Sequence, residues 1–360
     1  MITGTRMTKK RKTRTVKVGN VKLGGRYDIV IQSMTKVATT DVPACLAQIK
    51  RLAKAGAPLV RVAVPTPADT RALAKLVDKS PVPLIADIHF SPARAIEALQ
   101  AGAAKIRLNP GNIRNRTDII RIADAVKAHG AAVRIGVNEA SIRDLRKPDV
   151  PPARRVRLML ARMKSYVRLF EKRRVDQLVL SAKSSSTLRT IEVNRMLAET
   201  FDYPIHLGLT HAGLPEDASI PSAVAIGTLL AEGIGDTIRV SAAGDPVSEV
   251  RIAEQILQAL GLRQRHGPEL IVCPTCARAQ MDVVQLARRV RKLLGKIDTP
   301  LRVAVMGCVV NGPGEAADAD LALCTAKTRV HLYRCGKKIA VLDNREIITE
   351  LKKQLQTFIT

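Results

Sequence analysis

The chain has 360 residues, 46% of them hydrophobic, which is enough for a large domain and a smaller one. No apolar run approaches the length of a membrane span, and the Lys/Arg-rich N-terminus lacks the apolar segment of a signal peptide, so we expect a cytoplasmic protein. The net charge of +27 suggests nucleic-acid binding, but aromatic residues make up only 2% of the chain and the basic residues are dispersed. The composition therefore argues against nucleic acid as the partner. It favours a solvated basic surface with a flexible basic arm over residues 1–20.

Short β-branched runs alternate with amphipathic segments of helical period from residue 29 to about 261. Predicted strands cover residues 29–34, 59–64, 83–88, 105–109, 132–137, 177–182, 204–209 and 237–241. Helices are predicted over, for example, residues 42–55, 93–101, 117–129, 222–232 and 247–260. Asp41 and Ser91 stand where helices would begin, and Gly56, Gly102, Gly130 and Gly261 where they would end.

Eight successive βα units predict a closed parallel (β/α)8 TIM-like barrel over residues 21–262. A doubly wound open sheet is the alternative, but no Gly-x-Gly-x-x-Gly turn follows the first predicted strand. Residues 263–268 resemble a linker, and residues 269–360 form a predicted second domain of the α+β class. The fold prediction is therefore an α/β barrel followed by a smaller domain that holds the clustered cysteines.

The cysteine spacing indicates a metal centre rather than a disulfide framework. Cys273 and Cys276 are two residues apart with Pro and Thr between them, and Cys308 follows later in the second domain. Three thiolates favour an iron–sulfur cluster with one open iron, whereas a zinc site would need a fourth ligand and a thioredoxin-type dithiol would need only two. Glu315, just past a Gly-Pro-Gly turn, is the nearest acidic candidate for the open position.

The remaining cysteines leave an alternative open. Cys324 and Cys335 could complete a four-thiolate site, which would make the protein an electron carrier without catalysis of its own. Cys45 lies in the first predicted barrel helix and is expected to be a buried core residue.

Polar residues at the C-terminal ends of barrel strands are the first candidates for a site, because barrel enzymes build their active sites there. Here they are mostly cationic, and Arg and Lys from several strands would form a pocket for a small doubly charged anion. The candidates are Arg61, Asp87, His89, Arg107, Asn109, Arg134, Asn138, Lys183, Thr210, His211, Arg239 and Ser241.

Seven runs of residues form a recognisable set: residues 31–35, 86–90, 107–112, 134–138, 232–241, 273–276 and 307–316. Together they resemble the bacterial 4-hydroxy-3-methylbut-2-en-1-yl diphosphate synthases. The likeness extends from about residue 14 to 350, nearly the whole chain.

The resemblance implies reductive dehydration and ring opening of 2-C-methyl-D-erythritol 2,4-cyclodiphosphate in the non-mevalonate isoprenoid pathway. It implies a [4Fe–4S] cluster on Cys273, Cys276, Cys308 and Glu315, with Glu315 also catalytic. It further implies a homodimer, with ferredoxin or flavodoxin as electron donor. The expected substrate-binding residues are Arg61, Asp87, Arg107, Asn109, Arg134, Asn138, Lys183, Arg239 and Ser241.

Three departures from the family pattern stand out. His211 replaces a Glu associated with proton transfer, and we predict that His211 acts as the proton donor, since its ordinary pKa suits the task. Residues 184–186 read Ser-Ser-Ser in place of Ala-Ser-Asp, and residues 322–327 lack the usual glycines. The last two put the local loop geometry in question.

Overall fold

The computed structural model describes residues 9–142, 150–210, 213–265, 267–295 and 297–358. The chain divides into two compact units, Met1–Arg263 and Gln264–Thr360. The division falls at the start of the predicted linker. Among the described residues, no helix is both long and apolar enough to cross a membrane.

The first unit contains a two-stranded hairpin and eight barrel strands. The hairpin strands are β1 (Thr15–Val18) and β2 (Val21–Gly24). The barrel strands are β3 (Val30–Met34), β4 (Leu59–Ala63), β5 (Leu84–Asp87), β6 (Lys105–Leu108), β7 (Ala132–Asn138), β8 (Leu178–Lys183), β9 (His206–Leu207) and β10 (Thr237–Ile238). All eight predicted strands are present, although β9 and β10 are shorter than expected.

Hydrogen bonding makes the eight-stranded sheet parallel throughout, in the order β8-β7-β6-β5-β4-β3-β10-β9. The circle closes at a parallel bridge between Leu180 and Ile205, where the Leu180 amide donates to the Pro204 carbonyl at 2.8 Å. The prediction of a closed barrel rather than an open sheet is therefore confirmed.

Amphipathic helices cover the outside of the barrel. They are α1 (Val42–Lys54), α2 (Pro67–Lys79), α3 (Pro92–Gln100), α4 (Arg116–Ala128), α5 (Pro152–Lys172), α6 (Thr187–Thr200), α7 (Pro215–Ala231) and α8 (Pro246–Ala259). The predicted caps are confirmed, because the side chains of Asp41 and Ser91 accept the amides of Ala44 and Arg94. Gly56, predicted to end the first helix, lies just past α1 and has a left-handed φ of 104°.

The prediction of a flexible basic arm over residues 1–20 is wrong for the hairpin. Val16, Val18 and Leu23 are fully buried and pack on inward-facing residues at the base of the barrel: Val30, Leu59, Ile85, Ala132 and Val179. Thr15 to Val18 alternate exposed and buried residues, the period of a half-buried strand. The hairpin therefore plugs the N-terminal end of the barrel.

Basic residues ahead of the hairpin also contact the barrel base. Lys10 pairs with the buried Asp236 at 3.2 Å. The guanidinium of Arg11 donates to the Tyr203 carbonyl at 2.7 Å and the Ala198 carbonyl at 3.1 Å. Part of the N-terminal charge thus serves to attach the chain to the barrel.

The second unit is a five-stranded mixed sheet with helices. Its elements are β11 (Glu269–Val272), α9 (Val283–Leu294), β12 (Arg302–Met306), α10 (Gly312–Glu315), β13 (Leu321–Thr325), β14 (Arg329–Arg334), β15 (Lys337–Asp343) and α11 (Ile347–Gln356). Strands β11 to β13 run parallel, and β13, β14 and β15 pair antiparallel. An apolar core including Val290, Val303 and Leu351 lies between sheet and helices. The α+β prediction is confirmed.

We expect Leu23→Ala to lower the free energy of unfolding by about 2–5 kcal/mol, because it empties part of the plug. Urea denaturation of the full chain measures this. Lys17→Ala, an exposed change on the same hairpin, is the control and should stay within about 0.5 kcal/mol of the parent. Equal stability of the two variants would show that the plug contributes nothing to barrel stability.

Candidate active site

Alternate residues of the barrel strands face inward, and near the C-terminal ends these residues are mostly cationic. Arg107 on β6 lies opposite Arg134 on β7, and Arg61 on β4 lies opposite Ile85 on β5. The guanidinium groups of these three arginines therefore enter the same barrel interior. Both Arg61 and Arg134 are largely buried, at 9% and 2% exposure. The strand register thus concentrates like charges within the barrel mouth.

A cavity of about 260 Å³ opens at this mouth. The part of the chain that the structure describes lines it with Arg61, Arg107, Arg134, Gly136, Val137, Asn138, Ser181, Lys183, Leu209, Thr210, Arg239 and Ser241. Five of these side chains are basic, four arginines and one lysine, and none is a carboxylate. Most of the predicted substrate-binding residues therefore meet in one cavity, whereas Asp87 and Asn109 lie outside its wall.

Asp87 supports two of these arginines from beside the cavity. Its carboxylate lies 3.8 Å from Nε of Arg61 and 3.4 Å from the terminal nitrogen of Arg107. Burial raises the pKa of Asp87, but the guanidinium groups of Arg61 and Arg107 outweigh burial and hold it below its ordinary value. Asp87 is therefore an ionised partner that orients arginines.

Arg239 is held by an acid that sequence reasoning missed. Both carboxylate oxygens of Glu249, 1% exposed on α8, accept from Arg239 at 3.1–3.2 Å. Glu249 also pairs with Lys36 at 3.0 Å. A signal existed in the sequence, because Glu249 falls on the apolar stripe of α8 beside Val250 and Ala253.

Lys183 reaches the cavity over a glycine. A Cβ on Gly208 would clash with the backbone carbonyl oxygen of Arg239 and lie 2.6 Å from Nζ of Lys183, so glycine leaves room for both groups. Burial, and then the charges of Arg134 and Arg239, place the pKa of Lys183 well below its ordinary value.

The loop after Lys183 is anchored by a second acid that the sequence analysis did not single out. Glu139, directly after β7, accepts a hydrogen bond from Ser184 and pairs with Arg155 at 2.7 Å and Arg189 at 2.9 Å. Burial raises the pKa of Glu139, but the bonds from Ser184 and Arg189 bring it below its ordinary value. Ser186 caps α6 by accepting the Arg189 amide.

Asn109 and Asn138 share one serine. The hydroxyl of Ser141 lies 2.6 Å from the side-chain oxygen of Asn109 and 2.8 Å from that of Asn138. Asn109 also accepts the Gly111 amide at 2.9 Å. Asn109 thus holds its own turn and the adjoining loop, while Asn138 additionally lines the cavity. His211, the predicted proton donor, lies outside the described residues, and its neighbour Thr210 lines the cavity.

In the second unit, two predicted ligands follow neighbouring parallel strands. Cys273 comes directly after β11, and its amide donates to the Val305 carbonyl of β12 at 2.9 Å, while Cys308 comes two residues after β12. A Cβ on the intervening Gly307 would lie 3.6 Å from Sγ of Cys273. Cys276 and Glu315 are both exposed.

The surroundings of Cys308 favour a thiolate. Its pKa is lowered mainly by hydrogen bonds from the backbone amides of Asn311 and Val310. A side-chain hydrogen bond from Arg278 lowers it further. Thiolates at two adjacent strand ends, with glycine between them, fit the donor set of a soft metal centre. Among the described residues, however, no three Cys, His, Asp or Glu side chains lie close enough together to hold a metal ion.

The other cysteines occupy different surroundings. Cys324 is fully buried in β13, where burial raises its pKa to about 12. Cys335 is exposed in the turn between β14 and β15, and Cys45 is buried as predicted. Residues 321–325 form a regular strand despite the missing glycines.

Comparison with known proteins covers both units. Residues 13–254 match the GcpE TIM-barrel domain, and residues 269–357 match the GcpE protein C-terminal domain. The 4-hydroxy-3-methylbut-2-en-1-yl diphosphate synthase (flavodoxin) of Aquifex aeolicus is 46% identical over 352 residues, which cover 97% of this chain and 98% of that protein. The protein of the same name from Symbiobacterium thermophilum is 46% identical over 347 residues, 96% of this chain and 93% of that protein.

Both units and their order match, and the named relatives align along nearly the whole chain. The chain therefore belongs to the GcpE family.

Proposed function

We propose that this chain is a 4-hydroxy-3-methylbut-2-en-1-yl diphosphate synthase. It opens the ring of 2-C-methyl-D-erythritol 2,4-cyclodiphosphate and dehydrates it reductively, consuming two electrons. The observation that carries the proposal is the barrel cavity, whose described wall has five basic side chains and no carboxylate. The names of the relatives point to the same reaction.

The cavity is suited to a diphosphate. Guanidinium groups present paired N–H donors that match phosphate oxygens, and Arg61, Arg107, Arg134 and Arg239 approach from different strands. Lys183 adds a primary amine, and Asn138 and Ser241 add neutral polar groups. Because Asp87 and Glu249 offset only part of this charge, an anion would relieve the repulsion that remains.

The second unit would hold the redox cofactor, a [4Fe–4S] cluster. Cys273, Cys276 and Cys308 would supply three thiolates, and Glu315 would supply the fourth, exchangeable ligand. When bound, such a cluster would supply electrons one at a time and an iron able to polarise a carbon–oxygen bond. The lowered pKa of Cys308, and the positions of Cys273 and Cys308 after two adjacent parallel strands, support this assignment.

Around the substrate, the protein's own residues bind and orient. The arginines hold the diphosphate, and Asp87 and Glu249 hold three of these arginines. Glu139 binds Ser184 and Arg189 and so fixes the loop that follows Lys183. Apolar residues of the plug close the lower barrel to water. Flavodoxin is the proposed electron donor, because the relatives carry it in their names, and a homodimer stays a prediction.

Glu315→Ala should abolish turnover of the cyclodiphosphate, because it removes the exchangeable ligand and leaves the three thiolates. The assay is anaerobic reconstitution with iron and sulfide, visible absorption, and turnover with a low-potential reductant. Asp318→Ala, an exposed acid nearby in sequence, is the control and should turn over normally. A coloured wild-type protein without turnover would instead favour an electron carrier, and full activity of Glu315→Ala would reject the assigned role of Glu315.

Arg134→Gln should weaken the binding of inorganic pyrophosphate by about 10- to 100-fold, the loss of one charged hydrogen-bonding partner. Arg134 suits the test because Asp87 is held mainly by Arg61 and Arg107, so its removal leaves no carboxylate stranded. Calorimetry on the full chain gives the affinity. Arg121→Gln, on the exposed face of α4, should bind like the parent, and equal binding by Arg134→Gln would reject the cavity as the anion site.

His211→Ala should lower kcat for the cyclodiphosphate more than it changes pyrophosphate affinity, because the proposed role is proton donation and not anchoring. The measurement is steady-state turnover across pH together with pyrophosphate titration. His211→Glu, which restores the acid of the family pattern, should recover activity. Unchanged turnover of His211→Ala would exclude this residue as the donor.

A further inference from the structure

Lys105 is a buried amine that the proposed reaction does not use. It is the first residue of β6, it is 0% exposed, and its Nζ has no hydrogen-bond partner among the described residues. A buried ammonium without a partner is costly, so such a group favours its neutral form until a negative charge arrives.

The register places Lys105 inside the barrel, one layer below the cavity. Its strand partners are Ile85 and Ala132, whose side chains face the apolar plug. Arg107, two residues further along the same face, lines the cavity. Lys105 therefore stands between the plug and the anion site.

The charged groups that face this layer are mostly basic. Arg61 comes from β4, Arg134 from β7 and Lys183 from β8, while Arg107 follows on β6 itself. Among the described residues, the other titratable groups on the inward face include Asp87 on β5, which pairs with Arg61 and Arg107. They also include His206 on β9, and Arg239 beyond β10, which pairs with Glu249. Gln32 adds a neutral amide from β3, also without a partner among the described residues.

Burial lowers the pKa of Lys105 well below its ordinary value, and Arg134 and Arg61 lower it further. The pKa of His206 is lowered in the same way, first by burial and then by Arg134, Lys183 and Lys105. Both effects follow from the geometry, since the barrel interior is closed below by the plug and crowded with cations above.

We propose that Lys105 is neutral in the ligand-free barrel and takes up one proton from solvent when a diphosphate group fills the cavity above it. The inference rests on the proposed function, because it needs the anion in that cavity. No electrons move, and the added proton converts the amine to an ammonium that faces the bound anion. A multiply charged anion gains more from this response than a singly charged one, so Lys105 contributes to selectivity for diphosphates.

The test is calorimetric titration of the full-length protein with inorganic pyrophosphate in buffers of different ionisation enthalpy. The dependence of the heat on the buffer gives the number of protons exchanged. Pyrophosphate has its own proton equilibrium, so the informative quantity is the difference between proteins. Wild type should take up about one proton more than Lys105→Met, and the exposed control Lys75→Met should match wild type.

A second readout separates this role from a structural one. The pKa of Lys105 is lower in the folded protein than in the unfolded chain, so the folded protein binds fewer protons than the unfolded chain. Lys105 therefore lowers the free energy of unfolding, and it does so more at lower pH. Without ligand, Lys105→Met should therefore have a melting temperature equal to or above that of wild type. The difference in melting temperature should grow as the pH falls from 9 to 6. A variant that melts below wild type at every pH, or fails to fold, would overturn the proposal.

The two proposals fail in different ways. If wild type binds pyrophosphate and Lys105→Met takes up equally many protons, the role of Lys105 is rejected while the anion site stands. If wild type does not bind pyrophosphate at all, the anion site fails and the proposal for Lys105 fails with it. Proton uptake that persists in Lys105→Met and disappears in His206→Gln would move the role to His206 and reject it for Lys105.

Discussion

Repulsion between cations enclosed in one barrel is the constraint on which the rest of the site depends. Arg61, Arg107, Arg134, Lys183 and Arg239 share a cavity of about 260 Å³. In a partly buried setting like charges a few ångströms apart repel strongly, so each needs a partner or a lowered pKa. Asp87 partners two of the arginines and Glu249 one, and the pKa of Lys183 is lowered.

The scaffold tolerates this charge because apolar packing surrounds it. The hairpin closes the barrel below the charged layers with Val16, Val18 and Leu23, and the helices bury the outward faces of the strands. Burial on both sides contributes free energy in proportion to apolar area, which offsets the cost of holding unsatisfied cations. The charged interior therefore destabilises the fold locally, and the large apolar core compensates for it. Functional sites commonly show this combination.

Most of the fold was predictable from residues close together in sequence, because β-branched runs, helical period and caps such as Asp41 and Ser91 are local signals. The hairpin was missed because the short alternation of Val16, Lys17 and Val18 directly follows the basic residues of the N-terminus. Strand-end cations were predictable from barrel geometry. The partners of Glu249 and Glu139 were not, because those contacts join distant segments of the chain. A substrate contact of Asn109 stays a prediction, and its side-chain oxygen accepts hydrogen bonds from Gly111 and Ser141.

The triple serine after Lys183 illustrates how a changed sequence can keep a loop in place. Ser186 caps α6 through the Arg189 amide, a task open to any short side chain with an oxygen acceptor. Ser184 donates to Glu139, which also binds Arg189, so the cap and the strand end share one acid. Two residues that differ from the familiar pattern thus act within one network. The position of Lys183 depends on that network as a whole, more than on any single residue of the loop.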